Sequence, residues 1–91
     1  MTAKISPLFS LHSDPQYFEA ACQALSQIPD YPYHEAHDKD LLKQIIHDFP
    51  DVDILEQLKA WRWYRVDHQI VLKNPRGALR RWMLRAREFG L

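Results

Sequence analysis

Residues that cap helices and prolines that limit them divide this sequence into four short helical segments. Asp14-Pro15 and Asn74-Pro75 each place a capping side chain before a proline, which is favoured at the first position of a helix. Residues 69–72 are compatible with one extended stretch, but a single strand would have no partner. The sequence therefore favours helices over strands throughout.

Apolar residues at helical spacing define the first two helices. The first is predicted to begin at Pro15 and to end at Pro29. The second is predicted over residues 39–49, with Asp38 as its N-cap, and Pro50 stops it. Each helix has one apolar face, so we expect both to pack by that face against the rest of the fold.

The third and fourth helices are also marked by their ends. Asp53 and Glu56 have capping-box spacing and open the third helix, which should fade between residues 64 and 68. The fourth is predicted over 75–89, and Gly90 closes it. Three amphipathic helices and a fourth with a dense basic side predict an all-α fold, a small four-helix bundle.

Length and composition limit the chain to one small domain. Its 91 residues are 46% hydrophobic and 26% charged, which is typical of a globular protein. We expect a single helical domain over 1–91, with 1–12 as a flexible N-terminal arm. Cys22 is the only cysteine, which excludes an internal disulfide and favours a cytoplasmic location. No apolar run approaches the roughly 20 residues of a membrane span, so no membrane partner is expected.

A net charge of zero conceals an acidic first half and a basic second half. Residues 1–53 contain nine acidic residues and three lysines, whereas residues 54–91 contain three acidic and nine basic residues. Such asymmetry indicates either a polyanionic partner or contact between the two halves.

Five arginines surround the apolar face of the fourth predicted helix. On a helical wheel, Arg76, Arg80 and Arg87 lie on one flank of that face, and Arg81 and Arg85 lie on the other. A helix docked by its apolar side would hold these guanidinium groups towards the phosphates of a nucleic acid. Alternatively, the arginines face the acidic first half, cover apolar surface and complement the helix dipole.

The segment WRWYR (61–65) interleaves aromatic and basic residues. Trp61 continues the apolar stripe of the third helix and is expected in the core, whereas Trp63 points roughly the opposite way. Trp63 is suited to stacking on an unpaired base, to anchoring a protein interface or to packing beneath the first helix. The predicted contacts with single- or double-stranded DNA are eight of the nine basic residues in 54–91, namely Arg62, Arg65, Lys73, Arg76, Arg80, Arg81, Arg85 and Arg87.

Two motifs resemble catalytic sites, but both have simpler explanations. HEAHD (34–38) lacks the spacing of a zincin motif, and adding His47 to His34 and His37 still leaves fewer than four zinc ligands. The three aspartates of DFPDVD (48–53) are able to hold Mg²⁺, but they stand between two helices, where carboxylates act as caps. We therefore predict no catalytic residue, no metal, no cofactor and no enzymatic activity.

Several segments after Tyr31 resemble a known family. Pro-Tyr at 32–33, Asp40-Leu-Leu, DFPDVDILEQLKAW (48–61) and KNPRGALRRWMLRA (73–86) are similar to the C-terminal module of phage-type replication-initiation proteins from Firmicutes, relatives of the DnaD-like primosome components. The resemblance implies DNA binding or recruitment of a replicative helicase during replication of a phage or mobile element.

The resemblance also implies roles for particular residues. Trp61, Asn74 and Trp82 would belong to the framework of the module. Its DNA contacts would be Arg80, Arg81 and Arg85. In that family the module usually follows a winged-helix domain, which this sequence lacks. An accessory or inhibitory role in a host machine is therefore also open.

A protein-interaction module is the alternative function. Its contacts would be the basic helix, an exposed Trp63 or the acidic first half, which would imitate DNA. An exposed Trp63 permits either a monomer or a dimer. The acidic contact set would be Glu19, Asp30, Glu35, Asp38, Asp40, Asp48, Asp51 and Asp53.

Overall fold

A computed structural model describes residues 14–69 and 71–90, and these residues form four helices. In chain order they are α1 (Pro15–Ser26), α2 (Glu35–Asp48), α3 (Ile54–Asp67) and α4 (Pro75–Phe89). Helix α3 packs against α1 on one side and α4 on the other, and α2 packs against α1. The described residues contain no strand, which confirms the prediction of an all-α four-helix bundle. The predicted arm, 1–12, lies outside the described residues.

The helix ends follow the capping residues that the sequence contains. Asp14 accepts a hydrogen bond from the backbone N–H of Gln16 at 2.9 Å, and Asn74 accepts one from that of Gly77 at 3.0 Å. Asp53 caps α3 in the same way. Gly90 ends α4 in the left-handed conformation, with φ 66°, which glycine adopts without steric cost.

The start of α2 differs from the prediction. The helix begins at Glu35, and His34, not Asp38, is its N-cap; the His34 Nδ1 accepts the backbone N–H of His37 at 3.3 Å. Asp38 lies one turn inside the helix, where its side chain is fully buried. The prediction of Asp38 as a cap is wrong because the partners of this aspartate come from distant parts of the chain.

The end of α1 also differs slightly from the prediction. This helix ends at Ser26, three residues before Pro29. A residue that precedes a proline is disfavoured in the helical conformation, so the helix ends earlier than the proline itself.

Apolar side chains from all four helices form one core. Trp61 is buried in this core, as predicted. Cys22 lies in the same core, and burial raises the pKa of its thiol. No helix in the described ranges is long and apolar enough to cross a membrane. The buried apolar residues are Tyr17, Ala21, Cys22, Leu25, Ile28, Tyr31, Leu42, Ile45, Phe49, Val52, Ile54, Leu58, Trp61, Leu79, Met83 and Ala86.

Tyr17 links α1 to the beginning of α3. Its hydroxyl donates to Asp53 Oδ1 at 2.8 Å and accepts the backbone N–H of Leu55 at 3.1 Å. The first N–H groups of a helix have no partner inside the helix, so this distant hydroxyl satisfies one of them. Burial raises the pKa of Tyr17, and the hydroxyl stays protonated as a donor to Asp53.

We expect Tyr17→Phe to lower the free energy of unfolding by about 1–2 kcal/mol, because the N–H of Leu55 loses its acceptor in a partly buried place. Urea denaturation followed by circular dichroism measures the change. Tyr64→Phe is the matched control, since Tyr64 lies on the same helix as Leu55 and is 40% exposed. Equal effects of the two substitutions would contradict a structural role for the Tyr17 hydroxyl.

Candidate nucleic-acid interface

The arginines of α4 fall into two sets with different surroundings. Arg76, Arg80 and Arg87 face α2 and the segments beside it. Arg81 and Arg85 lie on the other flank, where they line an open groove between α3 and α4. The two flanks of the helical wheel therefore correspond to two different environments.

Arg76 is held by a buried carboxylate. Its Nε donates to Asp38 Oδ1 at 3.0 Å, and its Nη2 donates to Asp38 Oδ2 at 2.9 Å and to the carbonyl of Pro32 at 2.9 Å. The guanidinium also lies over the ring of Tyr31, 5.3 Å from its centroid. The buried carboxylate of Asp38 thus engages two donors of the Arg76 fork, and Arg76 as a phosphate contact stays a prediction.

Asp38 accepts further hydrogen bonds that keep it ionised. The hydroxyl of Tyr31 donates to Oδ1 at 2.6 Å, and the backbone N–H of His34 donates to Oδ2 at 2.7 Å. Burial alone would raise the pKa of Asp38, but the hydrogen bonds from Arg76, His34 and Tyr31 outweigh it and hold the pKa below its ordinary value. Burial and this carboxylate in turn raise the pKa of Tyr31.

Arg80 and Arg87 also contact the region where α2 ends. Arg80 Nη2 donates to Asp48 Oδ2 at 3.0 Å, and this hydrogen bond lowers the pKa of Asp48. The guanidinium groups of Arg80 and Arg87 lie 5.5 Å and 4.9 Å from the centroid of the Phe49 ring. Arg76 and Arg80 thus follow the alternative interpretation, in which arginines of α4 face the acidic first half.

Arg81 and Arg85 are exposed, and no carboxylate within 14–69 or 71–90 forms an ion pair with either. The groove that they line has a volume of about 150 Å³ and is called the α3–α4 groove below. Its other lining residues come from both helices and the link between them: Trp61, Tyr64, Arg65, Leu72, Ala78 and Trp82.

Arg65 lines the same groove but is only 2% exposed. Its Nε and Nη2 are buried and have no hydrogen-bond partner among the described residues, and the nearest carboxylate oxygen, Asp30 Oδ2, is 4.0 Å from Nη2. Arg65, predicted as a nucleic-acid contact, is thus buried, unlike Arg81 and Arg85, which line the same groove. Arg65 lies one helical turn after Trp61, on the stripe that faces the core.

Aromatic side chains form the wall of the α3–α4 groove. The Tyr64 and Trp82 ring centroids are 5.3 Å apart, and Tyr64 also stacks on His68 at 4.2 Å. Trp82 Nε1 donates to Gln57 Oε1 at 2.9 Å, which fixes the indole between the two helices. The sequence analysis did not single out Tyr64. This residue lies seven positions, or about two helical turns, after Gln57, so Tyr64 and Gln57 are both on the side of α3 that meets α4.

Trp63 and Arg62 belong to a different surface. Trp63 is 63% exposed, so the interpretation that α1 covers it is wrong. Its side chain lines a second groove of about 480 Å³ between α1 and α3, together with Arg62, whose guanidinium is 5.9 Å from the Trp63 ring centroid. Lys73 is exposed in the link before α4. The structure therefore does not bring all the predicted basic contacts to one face.

The two motifs considered for catalysis serve local structure. His34 and His37 lie exposed at the N-terminus of α2, and Asp48 pairs with Arg80. Asp53 caps α3 and accepts from Tyr17. In the part of the chain that the structure describes, no three His, Cys, Asp or Glu residues are grouped so that they could hold a metal ion.

Comparison of the chain with protein-family models, curated proteins and solved structures finds no significant match. The resemblance to the replication-initiation module therefore stays a prediction from the sequence segments themselves.

We expect Arg76→Ala to lower the free energy of unfolding by about 3 kcal/mol, because it leaves the buried charge of Asp38 without its bidentate partner. This value is the lower end of the range for buried pairs, since the Arg76 side chain is itself 27% exposed. Chemical denaturation measures the change. Arg80→Ala is the matched control on the same helix, and its effect should be much smaller because the pair with Asp48 is exposed. Equal losses would contradict a special role for the Asp38–Arg76 pair.

Proposed function

We propose that the protein binds nucleic acid through the face formed by the α3–α4 groove. The observation that carries this proposal is the division of the arginines on α4. Arg76 and Arg80 are paired with acidic residues of the first half, whereas Arg81 and Arg85 remain exposed beside aromatic side chains. Charge left unpaired on one face of a neutral protein is available to a polyanion.

The chemistry of this face suits nucleic acid. Arginine presents a planar fork of donors that matches phosphate oxygens. Tyr64 is partly exposed next to Trp82, and aromatic rings beside basic groups stack on unpaired bases. The combination supports binding of single strands by phosphate contacts and stacking, and of duplexes by phosphate contacts alone.

The cellular role follows from the resemblance alone. On that basis we propose that the protein acts in the cytoplasm during replication of a phage or mobile element. It would do so without enzymatic activity, by binding DNA or recruiting a replicative helicase.

We expect the double variant Arg81→Ala/Arg85→Ala to bind DNA more weakly on all sequences alike. The slope of log K against log salt should become shallower by about 0.7–0.9 for each phosphate that the variant no longer neutralises. Fluorescence anisotropy with 3′-labelled, 5′-hydroxyl single- and double-stranded oligonucleotides, at several salt concentrations, measures both quantities.

Lys43→Ala/Lys59→Ala is the matched control for this experiment. It also removes two positive charges, from exposed positions on α2 and α3 that do not line the α3–α4 groove. If both double variants weakened binding equally, net charge and not this face would determine the affinity. No binding by the unsubstituted protein at low salt would refute the proposed function.

A protein-interaction function is the second candidate, and the exposure of Trp63 favours it. An exposed tryptophan beside a groove of about 480 Å³ is the kind of anchor found at protein interfaces. The groove is lined on the α1 side by small and amide-bearing residues, Ala20, Gln23, Ala24 and Gln27. This surface is separate from the α3–α4 groove, so the two candidate functions do not exclude each other.

We expect Trp63→Ala to change the free energy of unfolding by less than about 1 kcal/mol, because the side chain is mainly exposed. DNA affinity should also stay unchanged, since Trp63 is outside the α3–α4 groove. Trp61→Ala is the contrasting variant and should cost about 3–5 kcal/mol, because it empties a buried site. If Trp63→Ala bound DNA more weakly, Trp63 would be assigned to the nucleic-acid surface and not to the protein-interaction surface.

A further inference from the structure

We propose that the α3–α4 groove is a binding site for a single phosphate group, with Arg65 as the recessed donor and Arg81 and Arg85 at the edge. The proposal rests on the proposed function only if the phosphate belongs to a nucleic acid. A phosphate carried by a small molecule would be bound by the same residues.

The unpartnered guanidinium of Arg65 is the first observation. A buried charge is normally paired and hydrogen-bonded, because removal from water is costly. Yet Nε and Nη2 of Arg65 have no hydrogen-bond partner among the described residues. The 4.0 Å between Nη2 and Asp30 Oδ2 is longer than the roughly 2.7–3.2 Å of a hydrogen bond. Arg65 therefore has two buried donors whose hydrogen bonds no described residue satisfies.

The convergence of three arginines on one groove is the second observation. Arg65, Arg81 and Arg85 all line it, and Asp30 is the one described carboxylate in ion-pair contact with any of the three. Like charges that lie together repel each other, whereas an oxyanion between them is attracted to all three. Phosphate presents several acceptor oxygens, which suits several guanidinium forks at once.

The size of the groove limits what enters it. Its volume of about 150 Å³ is below the roughly 300–1,000 Å³ typical of pockets that enclose drug-sized ligands. A phosphate group fits such a space, whereas a whole nucleoside would not. The sugar and base would remain outside, next to the partly exposed rings of Tyr64 and Trp82.

Asp30 would compete with the bound phosphate. Its carboxylate is exposed and lies 4.0 Å from Arg65, so it repels an anion that approaches the same guanidinium. The residue has φ 61° in the connection between α1 and α2, a left-handed conformation that asparagine adopts as readily as aspartate. Asp30→Asn therefore removes the competing charge while keeping the backbone, and it should strengthen phosphate binding.

The test is an NMR titration of the ¹⁵N-labelled full chain with sodium phosphate, at constant ionic strength maintained with sodium chloride. The Arg65 Nε–Hε and Trp82 indole signals should shift with saturation, because both residues line the groove. The Trp63 indole signal serves as an internal control and should not shift. Absence of a saturable shift at Trp82, or an equal shift at Trp63, would overturn the proposal.

Three variants test the assignment of the residues. Arg65→Lys keeps the charge but loses the guanidinium donors and should weaken phosphate binding about tenfold. Arg81→Ala, at an exposed position, should weaken it without affecting the fold. Asp30→Asn should strengthen it several-fold. Unchanged affinity in Arg81→Ala and Asp30→Asn would overturn the site even if Arg65→Lys failed to fold.

The source of the phosphate is determined by a second set of probes. Matched oligonucleotides with a 5′-phosphate or a 5′-hydroxyl, together with a nucleoside monophosphate, are titrated against the unsubstituted protein and Arg65→Lys. A gain from the 5′-phosphate that disappears in Arg65→Lys assigns the site to the end of a nucleic acid. Binding of inorganic phosphate and the monophosphate, without such a gain, assigns it to a small molecule.

The two proposals fail in different ways. DNA binding that depends on Arg81 and Arg85, with no saturable phosphate shift, would leave the proposed function standing and refute the phosphate site. Saturable phosphate binding by a protein that binds no DNA would support the site and refute the proposed function.

Discussion

The bidentate pair between Asp38 and Arg76 determines how the last helix is attached to the rest of the protein. Helix α4 packs mainly against α3, and this buried pair links it to α2, together with the exposed pair between Arg80 and Asp48. The buried carboxylate also binds Tyr31 and the first residue before α2, so one charge organises α2, α4 and the connection between α1 and α2. Breaking a buried pair by removing one partner is strongly destabilising, which makes Arg76 a structural residue.

The same pairing explains why a neutral chain has its charges divided between two halves. Acidic residues of the first half meet arginines of α4 in the folded state, at Asp38 with Arg76 and at Asp48 with Arg80. The negative charge of the first half and the positive charge of the second half therefore partly neutralise each other in the folded protein. On α4 this neutralisation occurs on the flank that faces α2, and positive charge remains on the other flank.

Local interactions made the fold predictable from the sequence, and distant ones did not. The caps at Asp14, Asp53 and Asn74 depend on neighbours two or three residues away, so their spacing alone revealed the helices. The partner of Asp38 is 38 positions further along the chain. No periodic pattern contains such a contact, and local spacing therefore makes this aspartate look like an ordinary cap.

The burial of Arg65 was unpredictable for a similar reason. Its position on the apolar stripe after Trp61 was visible in the sequence, but a charged residue at such a position usually extends its head to water. Whether it does so depends on how closely α4 and the α1–α2 connection approach, and in the folded chain they leave Arg65 2% exposed.

Arg80 and Arg81 show how one short basic motif serves two purposes. Adjacent residues of a helix point about 100° apart, so Arg80 reaches Asp48 while Arg81 lines the opposite groove. A count of arginines cannot separate those that hold the fold together from those that are available to a ligand. On α4 the acidic residues make this distinction. Arg76 and Arg80 pair with Asp38 and Asp48, whereas Arg81 and Arg85 pair with no described carboxylate and line the proposed binding face.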